Sequence, residues 1–436
     1  MRNSFLYSGF NKQKILNALL NLSSIVDYIS ILSSNLSKAE ISLPQDYITY
    51  DLIAGIGSLS TFKSNENSFI KLNDFQTKHS DWLFGYFSYD VKNEVEALES
   101  NNSNNFPSDN MLFFIPEYVL MLKDGVLEIQ TFNHKKVCDD FIFGFNFEKL
   151  KTKEFDCKIK SRDTKESYLE KIKKIKHHIQ LGDIYEVNYC QEFYATDIIF
   201  SAESVFSDLN NKMKTPFSSF LKLEKKYVLS ASPERFLRKE GNRILSQPIK
   251  GTRKRGASKK EDEVLVSALK TSSKDICENV MITDLVRNDL SITAKSASVK
   301  VKNLCEVYTF EKVHQMITTV SSVIDNEISF AEVIKSAFPM GSMTGAPKIK
   351  AMELIEEFEE FKRGIFSGAV GYITPSSDFD FNVVIRTILY NLATNYLSVG
   401  VGGAITINSD EQDEYEECLI KAKPIFDVLN FTLNDK

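Results

Sequence analysis

The sequence predicts an α+β fold, on three observations. Strand-like runs of alternating or continuous apolar residues occur along the whole chain, from DWLFGYFSYD at 81–90 to YLSVGVGGAITI at 396–407. Long amphipathic helices are interspersed irregularly, so the pattern is not a regular βαβ alternation. Two consecutive strand runs near residues 366–390 are joined by PSSDFD, which predicts antiparallel pairing. At 436 residues the chain suits two or three average domains or one unusually large one.

In order, the N-terminal third reads as the strands DWLFGYFSYD, NMLFFIPEYVLML and GVLEIQTF between polar loops, of which ESNNSNNFPSDN (99–110) is the clearest. A lysine-rich stretch near 148–167 precedes a helix, SYLEKIKKIKHHIQLGD. Its Leu169, Ile172, Ile175 and Ile179 recur at helical spacing, and Gly182 is the stop. A soft boundary near residue 155 therefore divides an N-terminal subregion, 1–155, from a C-terminal region, 156–436. The latter mixes strands (YVLSAS, RILSQPI, AVGYITP, NVVIRTILY, YLSVGVGGAITI) with the helices KEDEVLVSALK, KDICENVMITDLVRND, APKIKAMELIEEFEEF and DEQDEYEECLIKAKPIF.

Composition excludes several classes. With 53 basic against 59 acidic residues the net charge is −6, which argues against a general nucleic-acid or membrane-surface binder. No run approaches the roughly 18 apolar residues of a membrane helix, and the start, MRNSFLYSGFNKQK, does not read as a signal peptide. The six cysteines form no CxxC pair, so they read as buried reduced thiols and place the chain in the cytoplasm.

Several stretches carry chemistry. In SQPIKGTRKRG, Lys250 stands apart from the basic run Arg253–Arg255, beside a glycine that lets backbone and ligand come close. In DEYEECLIKAK, preceded by Ser409 as N-cap, Glu414, Glu417 and Lys421 fall within about 60° on one helical stripe. That stripe is either a solvated salt-bridge face or half of an ion site. In KDICENVMITDLVRND, Glu278 lies on the side of Met281, Ile282 and Leu285, where a carboxylate either snorkels outward or needs a cation. Two helices offering carboxylates suit a hard ion such as Mg²⁺. Pro347 suits a first helical turn, which leaves Thr344, Gly345 and Ala346 at the positive end, where an anion is welcome. GVGGA at 400–404 is not a dinucleotide motif but permits close backbone approach. His314 is either a satisfied core histidine or a site residue. Arg386, amid Val, Ile and Leu, needs a buried partner, either an internal carboxylate or a substrate's.

In this order, GDIYEVNYCQEF, SASPERF, QPIKGTRKRG, ENVMITDLVRND, VHQMITTV, GSMTGAPK, FSGAVGYI, VVIRT and DEYEECLIK resemble the chorismate-utilising enzymes. That family includes anthranilate synthase large subunits, aminodeoxychorismate synthase component I, and isochorismate and salicylate synthases. The likeness covers residues 182–421 almost continuously and implies large antiparallel sheets facing each other with helices outside. The 155 boundary would then separate subregions rather than domains. Lys250 selects the branch: PIKGT is similar to aminodeoxychorismate synthase component I, where the others resemble PIAGT. There the lysine attacks C2 of chorismate as the C4 hydroxyl leaves, and ammonia enters at C4.

The resemblance implies further roles. Glu278 and Glu417 would bind Mg²⁺ with Glu414 assisting, Glu234 would protonate the leaving hydroxyl, and His314 would sit near it. Gly251, Thr252, Thr344, Arg386, Gly402, Gly403 and Lys421 would hold the two carboxylates. A desolvated pocket, helped by Arg253 and Lys254, would keep Lys250 neutral. The chain departs from the family at Ala404, at Phe366 and at Glu186, where glutamine or lysine is usual; Glu186 receives no role. No cysteine has a glycine within two residues and no appended domain follows, so the resemblance implies a separate glutamine amidotransferase subunit as nitrogen source. Without a lyase segment, the product 4-amino-4-deoxychorismate would pass to aminodeoxychorismate lyase on the way to 4-aminobenzoate and folate. Anthranilate synthase, or a non-catalytic chorismate- or tryptophan-binding homologue, is the alternative.

Overall fold

The computed structural model describes residues 1–36, 47–150, 155 and 158–431; Cys157 and part of the lysine-rich stretch lie outside them. Two antiparallel sheets, of twelve and ten strands among the described residues, carry the fold. The larger runs in the order Asn3–Ser8, Val126–Thr131, Tyr118–Lys123, Leu52–Ile56, Tyr28–Ser33, Phe217–Leu223, Lys226–Ser232, Thr387–Asn391, Tyr396–Ile405, Glu186–Ala195, Gly345–Ala346. The smaller begins at Ile249–Lys254 and Val313–Val323, passes through Arg235–Glu240, Phe379–Val383 and Ala369–Ile373, and ends on Leu83–Phe87, Met111–Ile115 and Ser60–Ser64. The subregions on either side of residue 155 share both sheets: Tyr28–Ser33 pairs with Phe217–Leu223, and Leu83–Phe87 with Ala369–Ile373.

Period-two alternation separates the two faces of the larger sheet. Leu221 and Leu223 join Leu83, Phe113 and Phe381 in the core that contains the facing sheet. Phe220 instead packs beneath the outer helices Lys12–Ser23, Ala202–Met213 and Glu411–Val428. The helix Lys165–Leu181 is capped by Thr164 and stopped by Gly182 in the left-handed region (φ 86°), as its pattern predicts. Among the described residues no helix is long and apolar enough to cross a membrane.

Several sequence expectations are corrected by the way the chain moves between sheets. NMLFFIPEYVLML is two strands, split at Pro116–Glu117, with Met111–Ile115 in the smaller sheet and Tyr118–Lys123 in the larger. Proline has no N–H to give a ladder, so the break falls there. NVVIRTILY divides likewise: Phe379–Val383 lies in the smaller sheet, Thr387–Asn391 in the larger, and Arg386 occupies the crossing with φ 54°. The helices Lys12–Ser23, Ser68–His79, Lys135–Phe143 and Ala202–Met213 are additional to those that the sequence predicts. The described cysteines are unpaired, with Cys138, Cys190 and Cys418 buried but Cys277 exposed.

Arg235, fully buried, ties the smaller sheet together. It donates to Asp380 at 2.8 and 3.0 Å, to Gln247 at 2.6 Å and to the Tyr47 carbonyl at 2.6 Å. Asp380→Ala leaves that guanidinium without its counter-charge, and urea unfolding should show a loss of about 3–5 kcal/mol.

Candidate active site

Lys250 leaves the edge strand Ile249–Lys254 at a register shift between Ile249 and Thr252 against Val313–Val323. Gly251 permits it: φ is 85°, and a Cβ there would sit 2.9 Å from the Asp275 carboxylate and 3.0 Å from Leu269. The lysine side chain is only 10% exposed, and its Nζ meets Glu186 Oε1 at 2.8 Å. Glu186 belongs to the other sheet, so this ion pair spans the space between the two. The lysine is not neutral. Burial pulls its ammonium down, but Glu186, Glu278 and Glu234 outweigh burial and hold it above the ordinary lysine value. Arg253 and Lys254 do not press on it: Arg253 turns to Asp275 at 2.6 Å, and Lys254 is exposed.

Glu234 sits where the chain passes from Lys226–Ser232 of the larger sheet to Arg235–Glu240 of the smaller, with its carbonyl accepting from the Val383 N–H at 3.1 Å. Burial pushes its carboxyl up to about 7, offset in part by the Ser342 hydroxyl and the Lys250 ammonium. A carboxyl near 7 is poised to give or take a proton at neutral pH.

Glu278 projects from the helix Ser273–Ser291, and its Oε1 is buried without a hydrogen-bond partner among the described residues. Burial and the facing Glu186 push it up to about 7, against Lys250 and Lys274. On the helix Glu411–Val428, Glu414 is buried and accepts from Ser409 Oγ at 2.7 Å. Asp410, not Ser409, caps this helix; Ser409 is spent on Glu414. Glu417 pairs with Lys421 at 2.8 Å, which holds its carboxyl below the usual range, and Lys421 also donates to the Gly402 carbonyl at 3.0 Å. Gly403 leaves open the space beside them: a Cβ would lie 3.3 Å from both Glu414 Oε2 and Lys421 Nζ.

The donor set suits a hard cation. Among the described residues no three His, Cys, Asp or Glu side chains lie close enough together to hold a metal ion as they stand. Yet Lys274, 3.6 Å from Glu414, is held above its ordinary value by Glu414, Glu278 and Glu417 together. An ammonium thus stands in for positive charge where carboxylates of two helices converge, and the orphaned Glu278 oxygen offers a ligand atom. Sequence reading missed Lys274, although its place four residues before Glu278 was a signal.

Other expected site residues fall as follows. Arg386 donates to the Lys421 carbonyl at 2.8 Å, no acidic side chain pairs with it among the described residues, and burial pulls it down to about 10. Thr344 is buried, its hydroxyl turned to the Met340 carbonyl at 3.2 Å, and Gly345–Ala346 pairs as a short strand with Glu186 and Val187. Pro347 is the N-cap of Lys348–Phe358 rather than inside its first turn. Thr252 is exposed at the sheet edge. Both His314 nitrogens engage groups outside the Lys250 cluster, Thr309 at 2.9 Å and Asp262 at 3.0 Å.

Residues 50–427 match the model of the family described as chorismate binding enzyme. The chain belongs to that family. The aminodeoxychorismate synthase component 1 of Escherichia coli is 32% identical over 349 residues, covering 79% of this chain and 76% of the relative. The aminodeoxychorismate synthase of Streptomyces griseus is 41% identical over 273 residues, which are 62% of this chain but only 37% of that protein. The crystal structure of anthranilate synthase component I from Streptococcus pneumoniae matches with a TM-score of 0.77 over 89% of this chain and 95% of that one; at 21% identity it speaks to the fold.

The raised carboxyls set a sign for pH dependence. Glu278 and Glu234 move from 4.5 to about 7 on folding, so the stability they contribute is present below pH 4.5 and lost as pH rises through 7. With a chelator present, the melting temperature of Glu278→Gln should therefore gain on the unaltered protein between about pH 5 and about pH 8.

Proposed function

We propose that this chain aminates chorismate at C4 to give 4-amino-4-deoxychorismate, acting as component 1 of an aminodeoxychorismate synthase. Support comes above all from one observation: a buried primary amine, Lys250, stands among three carboxyl groups, two of them near neutral pKa. The 41% and 32% identity to relatives bearing that name supports the same reading.

In this reading Lys250 attacks C2 as the C4 hydroxyl departs with a proton from Glu234. Ammonia then enters at C4 and the lysine is expelled, which places the new amine para to the ring carboxylate. Glu278 and Glu417 would hold Mg²⁺, with Glu414 beside them. When bound, the ion supplies positive charge at the ring carboxylate. Arg386 and Lys421 offer cationic groups to the substrate's carboxylates, while Gly251, Thr252, Thr344, Gly402 and Gly403 bring backbone close. His314 has the least support, since both its nitrogens are already engaged. Ammonia comes from a separate glutamine amidotransferase subunit. An aminodeoxychorismate lyase then consumes the product towards 4-aminobenzoate and folate, all in the cytoplasm.

Intact-protein mass spectrometry with chorismate and Mg²⁺, without ammonia, should show a substrate adduct on the unaltered chain and none on Lys250→Ala. Anthranilate and pyruvate as products with ammonia, or full turnover by Lys250→Ala, would overturn the reading. Glu234→Gln should lower kcat by about 10²–10⁴-fold. Mg²⁺ should raise the melting temperature of the unaltered chain but not of a Glu278→Gln, Glu417→Gln double variant.

A further inference from the structure

A buried amine that starts as an ammonium cannot attack carbon until it loses a proton. Lys250 is charged and nine-tenths buried, so an internal acceptor is nearer to hand than solvent. Three carboxylates face it from three elements: Glu186 from the strand Glu186–Ala195, Glu278 from the helix Ser273–Ser291, and Glu234 from the turn before Arg235–Glu240; Glu417 of the helix Glu411–Val428 also feels its charge. Only Glu186 is in hydrogen-bond contact, at 2.8 Å. Its side chain is 1% exposed, and its second oxygen, Oε2, is buried with no hydrogen-bond partner among the described residues. A fully satisfied structural salt bridge would leave neither oxygen orphaned, because an unpaired buried carboxylate oxygen costs free energy. The backbone of Glu186 pairs with Ala346, and the next residue, Val187, pairs with Gly345 on one side and Ile405 on the other.

We propose that Glu186 is the proton acceptor and donor for Lys250 in the amination reaction, a role that rests on the function proposed above. The Lys250 ammonium passes one proton to Glu186 Oε1, giving a neutral amine and a neutral carboxyl. The amine's electron pair forms the N–C2 bond, the ring double bonds shift, and the C4–O bond breaks, with the oxygen leaving as water on the Glu234 proton. Ammonia bonds to C4, the double bonds shift back, and the C2–N pair returns to the lysine as a neutral amine. Glu186 then restores its proton to Lys250, and the new C4 ammonium returns one to Glu234. Chorismate and ammonia are consumed, and aminodeoxychorismate and water are formed. No proton has left the site.

Internal transfer makes nucleophile formation independent of solvent pH, which gives the test. The rate of Lys250 adduct formation with chorismate and Mg²⁺, without ammonia, is read by quenched-flow mass spectrometry across neutral pH. In the unaltered protein the profile should follow the Glu234 carboxyl alone, falling as pH rises through about 7, because the leaving hydroxyl needs that proton. In Glu186→Gln the lysine proton must also leave to solvent, so the rate divided by that of the unaltered protein should rise about tenfold per pH unit until the lysine titrates. Glu186→Asp keeps an acceptor at a longer reach and should restore the unaltered profile at a lower rate. A Glu186→Gln profile parallel to that of the unaltered protein overturns the role of Glu186 while leaving the lysine nucleophile intact. Absence of any adduct on the unaltered protein overturns the nucleophile itself, and the acceptor with it. Should Glu186→Gln not fold, Glu186→Asp carries the decision: a rate that rises with pH relative to that of the unaltered protein overturns the proposal.

Discussion

A single ion pair, Lys250 with Glu186, joins the two sheets at the place where the chemistry is proposed. Taking both charges out of water is costly, and only close geometry and a rigid surround offset that cost. The surround is visible on each side. Gly251 gives Lys250 a left-handed turn out of the edge strand, into space where a Cβ would press on Asp275. Gly345, with φ 150°, lets Gly345–Ala346 close on Glu186, where an added Cβ would fall 2.1 Å from the Glu186 carbonyl. Neither sheet could shift by a residue without parting the pair, because such a slip turns every side chain to the opposite face.

Charge around this pair is arranged as a gradient. Near Lys250, burial dominates and lifts Glu234 and Glu278 to about 7, a value suited to proton exchange at neutral pH. Towards the helix Glu411–Val428, lysines dominate: Lys421 keeps Glu417 ionised, and Lys274 answers Glu414. The proposed chemistry, with proton exchange at one end and a cation at the other, needs this separation, since a uniform cluster of carboxylates would simply repel itself. The fold supplies it by drawing the two ends from different sheets and helices.

Chain crossings between the sheets explain why these residues meet. Glu234 and Arg386 each lie in a short link from one sheet to the other, and the two links run side by side, with Val383 N–H bonded to the Glu234 carbonyl and Ala231 N–H to that of Arg386 at 3.1 Å each. A crossing residue belongs to neither hydrophobic face, so its side chain is free to enter the space at the rim. The N-terminal strands contribute no candidate site residue. They widen both sheets and add Leu83 and Phe113 to the shared core, which makes the rim rigid.

Residue types, helix stops and turns were legible from order alone, because they depend on neighbours a few positions away. Gly182 ends its helix, PSSDFD turns an antiparallel pair, and the stripe Glu414, Glu417, Lys421 follows from 3.6 residues per turn. Lys250 stood out because its neighbours along the chain were the wrong company for a solvated lysine. Its charge state was not legible: burial alone argued for a neutral amine, and the carboxylate that reverses this lies 64 residues away. Distance in space, not in sequence, sets an electrostatic energy. For the same reason only the tertiary structure decided that Arg386 sits at a crossing, that His314 is spent on Asp262 and Thr309, and that Glu186 has a partner at all.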